Sequence, residues 1–215
     1  MTTLLKVARN AWEDAELLCE REYGETPELE VTGLDSTRSG NQHVDSVTLP
    51  AAPHHIHHIF FEIFKNAMRA TVEQWSGAGC GTALPPVRCL VIRTKEEVAV
   101  RVSDQGGGIK REEAPGIFRY HYTTATAGSG AEPGRGGLQS PAHPMHGLGY
   151  GMPLSRVYAR YFGGDLDLLS MLGHGTDVYF YLVAAGARET LPRYSIGTAE
   201  MIYKQNKARV SDWTI

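Results

Sequence analysis

Apolar residues near the start of the chain recur at helical spacing, with Leu4, Ala8, Ala11, Ala15 and Leu18 on one line and Leu5, Trp12 and Cys19 beside it. This pattern predicts a helix over 3–23, stopped by Gly24. Its apolar stripe needs a partner, either a sheet or an element outside this chain. Alternation of apolar and polar residues predicts strands over 28–34 and 44–49, across a stretch at 35–42 rich in turn formers. A long helix follows over 53–75, opened by Pro53. At about 100° per residue, Ile56, Ile59, Phe60, Ile63 and Ala67 form a stripe suited to burial against a sheet. His58, Glu62, Lys65, Asn66, Arg69 and Glu73 share a second, polar stripe.

Beyond a glycine-rich connector, 87–93 and 98–103 read as a hairpin bent at Lys95, Glu96 and Glu97, and the second strand runs into Asp104-Gln105-Gly106-Gly107-Gly108. A short helix is predicted over 111–120. Residues 125–146 hold almost no large apolar side chain, so they supply little core and are expected to be mobile. Gly147-Leu148-Gly149-Tyr150-Gly151 then leads into a helix carrying Leu154, Val157, Tyr158 and Tyr161, ended by Gly163-Gly164. A last hairpin joins 165–171 to 176–183 across Gly173-His174-Gly175. From Ala184 onward the chain is a polar tail with Trp213 as its bulky residue. The expected fold class is α/β: a two-layer sandwich of a mixed, largely antiparallel sheet with helices on one face.

Composition narrows the function. A net charge of −3 over 215 residues gives no basic footprint for nucleic acid. No apolar run approaches bilayer length. Three cysteines, Cys19, Cys80 and Cys89, lack metal-ligand spacing, and the odd thiol fits a reducing compartment better than a disulfide framework.

On the polar stripe, His58 stands one turn before Glu62 and is placed to hold its carboxylate, which could then accept a proton from an attacking hydroxyl or water. Asn66, one turn on, offers a neutral oxygen of the kind Mg²⁺ accepts when phosphates and water fill the other positions. A solvated helix face has the same composition. His54, His55, His57 and His58 have no third metal ligand at a familiar spacing after them. Asp104-x-Gly106-x-Gly108 at a strand end lets backbone approach a planar ligand, with a carboxylate to accept an exocyclic amine; a tight turn has the same sequence. Gly147-x-Gly149-x-Gly151 opening a helix frees N–H groups for an anion, yet it is neither the phosphate-binding P-loop nor the dinucleotide fingerprint. The segment before it is a linker or a lid. Gly173-x-Gly175-Thr176 alone is a hairpin turn that supplies a hydroxyl.

Taken in order, Glu62-x-x-x-Asn66, Asp104-x-Gly-x-Gly, Gly-x-Gly-x-Gly and Gly-Thr are similar to the ATP-binding set of the GHKL superfamily of gyrases, histidine kinases and their relatives. FFEIFKNAMRAT, SDQGGGI, HGLGYGMPLSRVYARYFGGDL and GHGTDVY closely resemble the mitochondrial kinases that inactivate α-keto acid dehydrogenase complexes, and VARNAWEDAELLCEREYG resembles the segment preceding this domain in pyruvate dehydrogenase kinases.

The resemblance implies a GHKL (Bergerat) ATP-binding fold and a protein-serine kinase acting on the E1α subunit in the mitochondrial matrix, with ATP and Mg²⁺. It implies Glu62 as general base supported by His58, Asn66 on Mg²⁺, and Asp104 on the adenine amine with Gly106, Gly108 and Thr176 around it. Gly147, Leu148, Gly149, Tyr150 and Gly151 wrap the phosphates, with Thr123 and Thr124 nearby, and Arg69 positions Glu62 or phosphate. The domains implied are 1–27 as the end of an N-terminal helical domain, 28–184 as the ATP-binding domain with a lid at 121–146, and 185–215 as a tail. The family's helical bundle binds E2 lipoyl domains, and this chain begins where that bundle is expected to end. Asp212-Trp213 resembles the pyruvate-type tail that anchors a homodimer, whereas YHYTTA and HHIHH lean toward the branched-chain enzyme. Gln105 stands where the family usually has a charged residue.

Overall fold

The computed structural model describes residues 2–37, 42–43, 47–76, 83–122, 145 and 149–183. The elements in chain order are β1 (Thr2–Thr3), α1 (Leu4–Tyr23), β2 (Leu29–Asp35), β3 (Gln42–His43), β4 (Thr48–Leu49), α2 (Pro53–Trp75), β5 (Val87–Arg93), β6 (Glu97–Ser103), a 3₁₀ turn (Ala114–Gly116), α3 (Gly151–Tyr161), β7 (Asp165–Met171) and β8 (Gly175–Val183). The main sheet has six strands in the order β3-β2-β5-β6-β8-β7. β2 and β5 run parallel and every other pair in it is antiparallel. This is the mixed, largely antiparallel sheet that the alternation predicted.

One face of that sheet carries Val87, Cys89 and Val91, then Val98, Val100 and Val102, then Val178, Phe180 and Leu182, all buried. The intervening Arg88, Glu97 and Arg101 are exposed, so the helices cover a single face. α2 meets it through Phe60, whose ring lies edge-on to Phe180 with centroids 5.1 Å apart. Burying such a phenylalanine contributes about 2–3 kcal/mol. The partner of α1 is α2, not the sheet: Trp12 packs edge-on against Phe64 at 5.3 Å, and His57 Nε2 lies 3.0 Å from Asp14 Oδ2. Gly24 ends α1 in the left-handed region, φ 74°, its N–H donating to the Glu20 carbonyl.

Three expectations need correction. Of the strand expected over 44–49, residues 44–46 lie outside the described residues and Val47 does not belong to a strand; Thr48–Leu49 is a strand that pairs with β1 in a separate two-stranded sheet, because the chain start runs back along it. The predicted helix over 111–120 is reduced to the turn Ala114–Gly116, since Pro115 lacks an N–H and disfavours helical geometry before it. α3 begins earlier than its apolar pattern suggested, at Gly151 itself. The tail at 185–215, with Trp213, and nearly all of the expected lid lie outside the described residues.

Candidate functional site

A cavity of about 380 Å³ opens between α2, the loop after β6, the start of α3 and the β7–β8 end of the sheet. That volume lies within the roughly 300–1,000 Å³ of small-molecule sites. α2 contributes Glu62, Asn66, Arg69 and Glu73; the loop contributes Asp104, Gly106 and Gly108; Gly149 and Gly151 come from the glycine segment, and Thr176 from β8. Motifs far apart in sequence thus meet in one hollow. His58 and Tyr150 are not among its lining residues, while Thr123, Thr124, Gly147 and Leu148 lie outside the described residues. Among the described residues no group of three or more His, Cys, Asp or Glu could hold a metal ion.

The Asp104 end is built on backbone. Asp104 Oδ1 accepts the Gly106 N–H at 2.9 Å and the Thr176 N–H at 3.2 Å. Both donors go to one oxygen, which leaves the other for a ligand. Burial pushes the carboxyl up to about 6, although the two N–H donors act against it. A carboxylate so desolvated gains much from a further donor. Glycine is required around it. A Cβ on Gly106 would overlap the Ala70 side chain and backbone of α2, and Gly108 holds φ +72° against the Met171 carbonyl. Trp75 Nε1 donates to the Gln105 carbonyl at 2.9 Å, fastening the loop to the end of α2. Ser170, which belongs to none of the sequence motifs, ties this end together: its hydroxyl lies 2.9 Å from Thr176 Oγ1 and accepts the Ile109 N–H at 2.8 Å. A single serine in a strand carries no motif signal.

At the other end, the partner of Glu62 differs from the expected one. Lys65 Nζ lies 3.0 Å from Oε1 and 2.9 Å from Oε2, and both side chains are largely buried. His58 does not hold the carboxylate; its Nε2 is buried without a hydrogen-bond partner and its ring stands edge-on to Tyr158. Burial lowers the His58 pKa, opposed by the nearby Glu62 charge. A lysine three residues on the same side reaches the carboxylate directly. Asn66 and Arg69 follow along the wall, with Arg69 Nε 3.8 Å from Glu73 Oε1.

Glu62 also touches the start of α3. A Cβ on Gly151 would collide with Glu62 Oε2. Gly151→Ala is therefore expected to displace the carboxylate and narrow the cavity while leaving the core intact. The expected result is turnover lowered roughly 10²-fold, as for an ångström-scale misplacement, with a melting temperature close to that of the parent; unchanged turnover would show that the contact is dispensable.

The first N–H groups of α3 have no intrahelical acceptor, and Gly151 and Met152, which carry them, line the cavity. Gly149 has φ +77°, with its carbonyl accepting the His121 N–H at 3.1 Å. A Cβ there would strike the backbone of His121 and Tyr122. The Tyr150 hydroxyl turns to the His121 imidazole, 2.8 Å from Nε2. α3 is fixed from behind by Arg156 and Arg160, which both donate to Asp165 on β7, and the Arg156 guanidinium sits 4.5 Å from the Phe118 ring centre. Burial raises the Asp165 pKa, but the two arginines prevail and hold it well below the usual carboxylate range.

The sequence profile of the family described as "Histidine kinase-, DNA gyrase B-, and HSP90-like ATPase" matches residues 51–186. Over 210 residues the chain is 40% identical to the mitochondrial [pyruvate dehydrogenase (acetyl-transferring)] kinase of Ascaris suum, covering 97% of this chain and 48% of that protein. The Arabidopsis thaliana kinase of the same name is 42% identical over 189 residues, 87% of this chain and 48% of that one. Isozyme 4 of Mus musculus is 36% identical over 214 residues, 99% and 48%. The chain spans about half the length of the curated relatives it matches. On the profile match and these identities, the chain belongs to the histidine kinase-, DNA gyrase B- and HSP90-like ATPase family, and its likeness within that family is to the mitochondrial pyruvate dehydrogenase kinases.

Proposed function

We propose that this chain carries the ATP-binding catalytic domain of a protein-serine kinase that phosphorylates, and so inactivates, the E1α subunit of the pyruvate dehydrogenase complex in the mitochondrial matrix. The observation that carries the proposal is the convergence of Glu62, Asn66, Asp104 and Gly149 on one cavity. Asp104 takes the adenine amine between Gly106 and Gly108, with Thr176 beside it. The α3 start, with Gly149 and Gly151, receives the phosphates as a helix N-terminus does. Arg69 adds positive charge along the same wall. Glu62 accepts the proton of the substrate serine while Lys65 holds the carboxylate in place. Asn66 fits a Mg²⁺ ligand of the neutral-oxygen type, and the ion, when bound, would neutralise phosphate charge. The remaining catalysis is positioning and electrostatic stabilisation by these fixed groups.

The relatives quoted above all bear the pyruvate-type name, which favours that substrate over the branched-chain E1 suggested by YHYTTA and HHIHH. Homodimerisation through the Trp213 tail and docking to an E2 lipoyl domain, where an N-terminal helical domain accompanies this chain, belong to the same reading. The test is direct: the purified protein is incubated with labelled ATP and each of the two E1 substrates. Label on a serine of pyruvate E1α is expected, with far less on the branched-chain protein. ATP bound by calorimetry with no label on either E1 would instead identify a nucleotide-binding module.

A further inference from the structure

We infer that Trp75 is a positioning residue for the Asp104 carboxylate and acts on it through a single peptide group. The peptide joining Gln105 to Gly106 makes a hydrogen bond at each end. Its carbonyl oxygen, on Gln105, accepts the Trp75 indole N–H at 2.9 Å. Its N–H, on Gly106, donates to Asp104 Oδ1, also at 2.9 Å. A peptide group is planar, with C=O and N–H pointing in opposite directions, so fixing one end aims the other. The last residue of α2 thereby sets the direction of a donor that holds the carboxylate, although Trp75 does not itself line the cavity.

The surroundings leave that peptide little freedom. On the α2 side a Cβ on Gly106 would overlap Ala70, and one on Gly107 would meet the Gln74 side chain. On the far side the Gly107 carbonyl accepts the Gly173 N–H at 2.7 Å. The loop is thus gripped by the end of α2 at Gln105 and by the β7–β8 turn at Gly107. A hydrogen bond accepted at the carbonyl also polarises the peptide and strengthens its N–H as a donor. Both effects favour the ionised carboxylate and leave its second oxygen for a ligand.

The consequence is a change in where Asp104 titrates. Burial pushes its carboxyl up to about 6, and the Gly106 and Thr176 N–H groups pull against that. Losing the indole N–H weakens the Gly106 donor, so the carboxyl rises further and ceases to accept an amine at a higher pH. Asp177 on β8 adds its own charge and raises the carboxyl, while α2 brings Glu62, Arg69 and Glu73 to the cavity and the segment after β6 brings Glu113 and Tyr122. Trp75 is uncharged, so its replacement leaves all of those groups in place and the displaced titration reports the peptide alone.

This inference rests on the cavity being a nucleotide site, and two measurements keep the two claims apart. In calorimetry with Mg·ATP at pH 7.5, wild-type protein is expected to bind and Asp104→Ala to lose binding. Trp75→Phe keeps an aromatic ring and removes the N–H, and because Trp75 is only half-buried the exchange spares the core. The variant is expected to bind roughly two- to tenfold more weakly, the size of one neutral hydrogen bond. In the empty protein, a carbon-13 NMR titration of the Asp104 carboxyl is expected to have its midpoint higher by roughly half a unit in Trp75→Phe, and the ATP affinity of that variant should fall off at a correspondingly higher pH on acidification. A merely structural role for Trp75 predicts a lower melting temperature with the Asp104 titration where it was. An unmoved titration, or wild-type affinity in Trp75→Phe, would overturn the inference while leaving the nucleotide site standing. No binding by the wild-type protein would overturn both.

Discussion

Glu62→Gln is expected to slow phosphoryl transfer to E1α by roughly 10²- to 10⁴-fold, the usual contribution of a positioned general base. ATP affinity should change little. Glutamine has almost the same shape, so the space left by Gly151 still accommodates it. Its amide oxygen can still accept from Lys65, which keeps the stability loss below the about 3–5 kcal/mol of a buried pair with one partner removed. What disappears is the basic oxygen. The measurement is kcat alongside the calorimetric Kd for Mg·ATP. A kcat within tenfold of the parent would mean that the proton leaves by another route and that the Glu62–Lys65 pair serves only the fold.

Asp104→Ala should remove nucleotide binding by a comparable margin. Losing a hydrogen bond to a charged acceptor costs about 1.5–3 kcal/mol, or roughly ten- to 150-fold in affinity, and the Gly106 and Thr176 N–H groups also lose their shared acceptor. Asp104→Asn separates binding from folding. The carboxyl is shifted by burial from 3.8 to about 6. In the empty protein this group contributes stability that is fully present below the unfolded value and lost as pH rises through the folded value.

At pH 7.5 the ionised carboxylate is thus a burden, on the order of 1–3 kcal/mol. The asparagine variant should accordingly melt at a higher temperature than the parent at pH 7.5, with the advantage shrinking as pH falls from about 6 toward 3.8. ATP affinity of the parent should be flat above about pH 6 and fall below it, as the acceptor is protonated. Tight binding by Asp104→Ala would remove the adenine end of the site from the proposal.

Much of this arrangement was legible from residue spacing. The two stripes of α2 follow from the helical period: Ile56, Ile59, Phe60, Ile63 and Ala67 are all buried as predicted, and Phe64, Met68, Thr71 and Val72, which the stripe did not include, are buried with them. The glycine loops were visible because close backbone approach leaves few alternatives to glycine. The residues that escaped notice depend on contacts between elements. Lys65 sits on the polar stripe yet is buried, because its ammonium pairs with Glu62 beneath the start of α3. His58 looked like the partner of Glu62 because spacing alone cannot tell which neighbour turns inward. Ser170 matters only through strand pairing, which no local pattern encodes. The helix expected over 111–120 gives way to a single turn, with Pro115 overruling it.

The contact between Gly106 and Ala70 has a bearing on how this chain can diverge. Gly106 has no room to grow, since any side chain there runs into the helix at Ala70. A larger residue there would demand a retreat at Ala70, and because the atoms it meets include the Ala70 backbone, trimming that side chain would not suffice. Single-step mutation at position 106 is thus barred from reshaping this part of the pocket, and new specificities must arise at other positions around it.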